Sequence, residues 1–166
     1  MCRRAVGVVA LLSLAVLAGC VGLGPTGGAD AGPRTPGDDY RTTTVDLIDA
    51  DGTRLATVEV WVADTWRKRY VGLSDTSALE PGQGMLFVHG SEGRHSYVMR
   101  EMDFPLDMVF VAADGTITTV HHAPLPDEEG ALTEYSGRAK YVLEVPMGYT
   151  DETGVDVGDR VRIAGR

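Results

Sequence analysis

"VFVAADGTITTVHHA", residues 109–123, is the stretch whose reading decides the fold. Two apolar, β-branched runs flank Asp114-Gly115. Asp-Gly between such runs is a strong short-range signal for a hairpin, because both central residues of the favoured two-residue turn need positive φ. "TVDLIDADGTRLATVEVWV", residues 44–62, repeats the device at Asp51-Gly52. If Asp114 and Gly115 are the whole loop, Ala113 pairs with Thr116, and counting outward sets Asp107 opposite His122. Directly opposed residues stand about 4.5–5.5 Å apart at Cβ, close enough for carboxylate and imidazole to meet. The same count groups Val109 and Val111 with Val120 and Thr118 on one face. Met108 and Phe110 then join His121, Thr119 and Ile117 on the other. His121 and His122 are adjacent on one strand and point to opposite sides, so they cannot share one metal unless the strand bulges.

The remaining segments extend this pattern. "DTWRKRYVGL", residues 64–73, offers Asp64 or Thr65 as a helix cap, with Trp66, Tyr70 and Leu73 at helical spacing and Gly72 near the end. "GMLFVHG", 84–90, and "RHSYVMR", 94–100, read as two short strands. "RAKYVLEVP", 138–146, alternates Tyr141, Leu143 and Val145 on one face, and "GVDVGDRVRI", 154–163, adds a turn and a last strand. "PLPDEEGALTEYSG", 124–137, is an acidic loop. The expected fold is mainly β, a compact antiparallel β sandwich or barrel with one or two short helices, filling a single domain over residues 40–166.

The chain's beginning has a different character. Arg3 and Arg4 precede an apolar stretch from Ala5 to Leu17, followed by "LAGC", Leu17–Cys20. The stretch falls short of the roughly 18 or more apolar residues a spanning helix needs. Positive charge, apolar run, small residues and cysteine in that order resemble a lipoprotein signal peptide over residues 1–19, with Cys20 lipidated as the first mature residue. The alternative is an ordinary secretory signal cut near Ala18. Residues 20–39, rich in Gly and Pro and without an aromatic, read as a flexible tether. The expected address is the outer face of the cell membrane, reached through the lipid anchor.

Composition excludes some partners. The chain carries 15 Lys and Arg against 24 Asp and Glu, for a net charge of −9, and loss of Arg3 and Arg4 with the leader takes it to about −11. Nucleic acid recognition needs a basic stripe, so no nucleic acid partner is expected. The cysteines are Cys2 and Cys20 alone, so the domain has no disulfide, thiol nucleophile or cysteine metal site.

Several blocks in order resemble the domain of unknown function 192 family. They are Gly72-Leu73, Gly84-Met85-Leu86-Phe87, Met99-Arg100, Pro105-Leu106-Asp107, "YVLEVP" at Tyr141–Pro146 and Gly158-Asp159. The resemblance covers residues 55–163 and implies a compact β sandwich or barrel, with no assigned activity. Many relatives carry tryptophan and asparagine where Val98 and Glu101 stand here. Many also carry paired cysteines before "YVLEVP", which this chain lacks.

Asp107 and His122 are the leading chemical pair. They read either as a hydrogen-bonded pair closing the sheet's end or as the polar end of a pocket. Arg100 sits at the family's basic position and could grip a carboxylate, or pair with Glu101 or Asp103 on the surface. Met99 reads first as core. A copper site built from His95 and Met99 lacks further ligands, so no metal and no cofactor are expected. His89, flanked by glycine beside a turn, is expected to be solvated. No nucleophile elbow, zinc-protease helix or phosphate-cradling loop is present. The leading expectation is therefore a small-ligand or peptide-binding domain, its site framed by Met99, Arg100, Asp107 and His122, with Trp61 or Trp66 as walls. The alternatives are a hydrolase or lyase with His122 as base oriented by Asp107, and an accessory protein of an envelope complex.

Overall fold

The computed structural model describes residues 34–37, 39–127 and 130–165. The expected signal peptide, Cys20 and most of the tether lie outside these residues. Seven strands form one curled sheet: β1 (Thr42–Ile48), β2 (Arg54–Ala63), β3 (Gln83–Tyr97), β4 (Leu106–Val111), β5 (Ile117–Ala123), β6 (Tyr135–Pro146) and β7 (Arg160–Ile163). Two short helices, α1 (Trp66–Val71) and α2 (Tyr149–Thr153), complete the chain. The strand order is β5-β4-β6-β3-β2-β1-β7. The architecture is a mainly β half-barrel, as expected. One pair departs from the antiparallel rule: β2 and β3 run parallel, because the α1 crossover carries the chain back to the same end.

The curled sheet is drawn together at its two edges. Thr116, just before β5, bridges Arg160 of β7. Val161 donates its N–H to the Gly115 carbonyl at 2.8 Å, and Ile117 donates to the Asp159 carbonyl at 2.8 Å. All seven strands send aliphatic side chains to the inner face, among them Val45, Val60, Leu86, Val109, Ile117, Leu143 and Val161. The outer face is also covered. Met85, Phe87, Met108, Phe110 and Val142 pack there against Leu73 and Met99 from the connecting segments. Every residue of β4 is consequently buried.

The hairpin turns differ in detail from the two-residue form. Gly115 donates to the Ala112 carbonyl and Ala112 to the Thr116 carbonyl, so the loop holds three residues. Only the glycine takes positive φ, at 89°. Asp114 stays right-handed and accepts the Thr116 N–H through Oδ1 at 2.9 Å. A type I turn closed by a left-handed glycine has this shape. The β1–β2 turn matches it, with Gly52 at φ 88° and Asp49 Oδ1 accepting from Asp51 and Thr53.

A three-residue loop alone would slide Asp107 opposite His121. A bulge between Phe110 and Val111 on the β5 side absorbs the extra residue and returns the pairing to Asp107↔His122. The expected pair therefore forms through two irregularities that cancel. Thr118 is the residue left over, and its hydroxyl lies 2.6 Å from the Arg138 carbonyl and 3.2 Å from that of Phe110. The bulge also turns Ile117 into the inner core, not onto the Met108–Phe110 face where the unbulged count puts it.

Two further expectations are corrected. Residues 84–90 and 94–100 are not separate strands: β3 runs through both, and its register against β6 shifts between Val88 and Gly93. In α1, Thr65 is the cap, accepting the Lys68 N–H at 3.3 Å. Trp66 and Tyr70 stay exposed and stack on each other at 5.3 Å, while Leu73 alone enters the core.

Glycine replacement separates turn strain from edge closure. A Cβ on Gly52 would meet nothing within 4 Å, whereas one on Gly115 would stand 2.7 Å from the Val161 carbonyl. Gly52→Ala should cost about 1 kcal/mol from the positive φ alone. Gly115→Ala should cost about 2–3 kcal/mol, since strain and displacement of β7 add. Urea denaturation of both variants measures the difference, and equal costs would mean that the edge contact contributes nothing.

Candidate functional site

Asp107 opens β4 among residues buried on both sides, and it is itself fully buried. Its carboxylate persists there because three donors meet it. His122 Nδ1 lies 2.7 Å from Oδ1, and Thr150 gives both its N–H (2.9 Å) and its hydroxyl (2.8 Å) to Oδ2. Strand β4, strand β5 and helix α2 are thus tied at one point. The His122 imidazole is half exposed and also reaches to 3.9 Å from Asp151. The hydrogen bond it donates to Asp107 holds its pKa above the ordinary 6.5, with Asp151 adding a smaller push. An imidazole held on a carboxyl group whose two oxygens are both engaged suits a structural clamp better than a general base.

The four residues framed from sequence do not share one cavity. Met99 is buried in the outer core and touches a cavity under the loop 124–135. Arg100 lines a different cavity, of about 380 Å³, between α1 and β3. Asp107 and His122 line neither. Trp66 stands at the wall of the α1–β3 cavity, whereas Trp61 packs against the outer core.

This α1–β3 cavity gathers most of the remaining chemistry. Arg100 donates to Glu101 Oε2 at 2.8 Å and to the Tyr70 carbonyl at 2.9 Å, and its guanidinium lies 4.6 Å from the Tyr70 ring centre. The surface pairing anticipated for Arg100 is therefore with Glu101, while Asp103 pairs with Arg34. Glu101 takes φ 55°, a left-handed conformation that asparagine adopts more readily than glutamate.

His89 is not solvated as expected. The register shift in β3 folds it over His95, with ring centres 3.5 Å apart, and its Nε2 shares a 2.9 Å hydrogen bond with the Tyr97 hydroxyl. Desolvation, with the neighbouring His95 and Arg69, pulls its pKa down to about 4, so the ring is neutral at ordinary pH. Burial pushes the Tyr97 hydroxyl up, keeping it protonated.

Glu144 is the residue that sequence reasoning missed. It lies on β6 between Met85 of β3 and Met108 of β4, is 5% exposed, and lines the same cavity. Among the described residues its carboxyl has no hydrogen-bond partner. Desolvation alone raises its pKa from the ordinary 4.5 to about 8. A carboxyl kept neutral in a cavity can donate a hydrogen bond or exchange a proton with whatever enters. A signal was present: with Leu143 and Val145 facing one way, Glu144 faces the other, among methionines.

Three substitutions test these environments. Asp107→Asn places an amide against at least one donor and should cost about 1–3 kcal/mol. Because the His122 pKa is raised on folding, its stabilisation is complete below pH 6.5 and fades as pH rises through the raised value. The stability gap between wild type and His122→Gln should accordingly shrink from pH 5 to pH 9. Glu144 acts with a larger window. Folding retains a proton that the unfolded chain releases between pH 4.5 and 8, so stability falls as pH rises there, by at most about 1.4 kcal/mol per unit. Glu144→Gln removes that slope. Its advantage over wild type in urea denaturation should therefore grow between pH 5 and pH 8, and a constant gap would contradict the buried neutral carboxyl.

Residues 47–163, from β1 to the end of β7, match the family DUF192, described as Uncharacterized ACR. A crystal structure of a candidate transcription regulator from Sinorhizobium meliloti 1021 superposes with a TM-score of 0.69 at 35% identity, over 76% of this chain and 97% of that one. A protein of unknown function from Novosphingobium aromaticivorans DSM 12444 superposes with a TM-score of 0.67 over 80% of this chain and 94% of its own, a likeness of fold alone at 24% identity. No curated protein matches the chain. The match along nearly the whole sheet, together with the S. meliloti relative, makes this chain a member of the domain of unknown function 192 family.

Proposed function

We propose that this protein is a lipid-anchored, extracytoplasmic binding protein whose β domain takes a small ligand into the cavity between α1 and β3. One observation carries the binding reading: a nearly buried, unpartnered carboxyl, Glu144, lines a cavity of about 380 Å³. Holding such a group largely out of water costs stability, which favours a role at the moment a ligand enters. The volume falls in the range of small-molecule sites, and Phe87, Tyr97, Met102 and Trp66 supply apolar wall.

The anchoring reading rests on Arg3, Arg4, the apolar run and "LAGC" ending at Cys20, followed by the tether. The regulator description of the S. meliloti relative suits this chain poorly. A net charge of −9 opposes contact with nucleic acid phosphate. The hydrolase or lyase reading through His122 and Asp107 has less support, because both Asp107 oxygens are engaged and the pair lines neither cavity described above.

Val98 lies in the cavity wall and is 42% exposed. Val98→Trp should therefore fold while filling part of the space. In a thermal-shift screen of the purified full chain, ligands that raise the midpoint of wild type should lose that effect with Val98→Trp. A library without hits, or hits indifferent to the substitution, would remove the cavity from consideration. Cys20→Ala should move the protein from the membrane to the soluble fraction; unchanged membrane retention would count against the anchor.

A further inference from the structure

We infer that the ligand of the α1–β3 cavity is a small organic carboxylate with an apolar body, gripped by Arg100 and hydrogen-bonded by the acid form of Glu144. The inference rests on the reading of this cavity as a ligand site and adds the charge and class of what enters it.

The ionisable groups of the cavity wall are Arg69 and Tyr70 from α1, His89, His95 and Tyr97 from β3, Arg100 beyond β3, and Glu144 itself from β6. Across Glu144 on β4 stands Met108, which does not titrate. Two guanidiniums and one carboxyl thus line the same cavity in a protein whose net charge is −9. Arg69 spends its Nη1 on the carbonyls of Asp64 and Val88, and among the described residues no carboxylate pairs with it. Among the described residues the carboxylate that pairs with Arg100 is that of Glu101, whose side chain is 72% exposed and can be exchanged for a ligand without burying a lone charge.

The uncharged groups point the same way. Glu144 without a partner, in an apolar setting, is an acid with a hydrogen to give. His89 and Tyr97 are neutral and satisfy each other. The charged groups of the cavity wall are therefore two guanidiniums, and its one carboxyl is held in the acid form, so a negative charge is what the wall does not itself supply. A carboxylate supplies two acceptor oxygens, and a guanidinium binds it with directional, charge-assisted hydrogen bonds. An ammonium ligand would instead have to approach between two guanidiniums and drive the proton off Glu144. The stacked aromatic pair Trp66–Tyr70 and the edge-to-face pair Phe87–Tyr97 shape a wall for a flat or aliphatic body.

Titration calorimetry of the full chain with benzoate, benzamide and benzylamine tests this. At pH 6.5 benzoate should bind about tenfold more tightly than benzamide, the worth of one charge-assisted contact. Its affinity should fall about tenfold per pH unit above 8, as Glu144 loses its proton and the site gains a negative charge. Glu144→Gln should flatten that profile, since an amide donates but does not titrate. Arg100→Met should cost benzoate about tenfold and leave benzamide unchanged. Tighter binding of benzylamine, rising with pH, would overturn the carboxylate assignment while leaving the cavity as a ligand site, as would equal binding of benzoate and benzamide. Binding indifferent to Val98→Trp, or none by any of the three probes, would overturn the cavity reading and this inference with it.

Discussion

A sheet covered on both faces leaves a strand no water to turn to, and that constraint organises this molecule. The inner face of the half-barrel is filled by branched aliphatic side chains from all seven strands, and the outer face by methionines and aromatics beneath the connecting segments. Strands β4 and β6 are interior strands, each paired on both sides. A carboxyl placed on either must find donors or give up its charge. The protein contains one of each outcome. Asp107 on β4 has three donors and ties two strands to α2. Glu144 on β6 has none among the described residues, and desolvation keeps it protonated near neutrality.

The contrast divides structural from functional chemistry. Asp107 and His122 make the more conspicuous pair, yet their bonding is complete within the fold and leaves nothing for a ligand to satisfy. Glu144 is inconspicuous and incomplete. Its surroundings are assembled by features that each break a regular pattern. The register shift of β3 folds His89 over His95, the left-handed backbone at Glu101 turns the chain beside Arg100, and α1 keeps Trp66 and Tyr70 in solvent. Irregular backbone at a strand or helix end re-aims side chains that a regular element would send elsewhere.

Much of the fold was legible in the amino-acid sequence, because hairpins are local. Asp-Gly dipeptides, alternating apolar residues and a threonine cap act over a few neighbours, and each marks its element here. The Asp107–His122 pairing was legible too, though for an incomplete reason. A three-residue loop and a bulge at Thr118 offset each other, and neither is written in residues that demand it. The parallel β2–β3 pair and the continuity of β3 were not legible, since both depend on where a distant strand, β6, lies.

The candidate site divides along the same line. By itself, the sequence determined that Glu144 faces away from Leu143 and Val145, because side chains of a strand alternate. Whether that second face meets water or protein was decided only by the tertiary structure, which brings Leu73 and Met99 over it and leaves a cavity beside them. Alternation is a property of neighbouring residues, but burial is a property of everything that packs above them. A glutamate's charge state and purpose follow from the second.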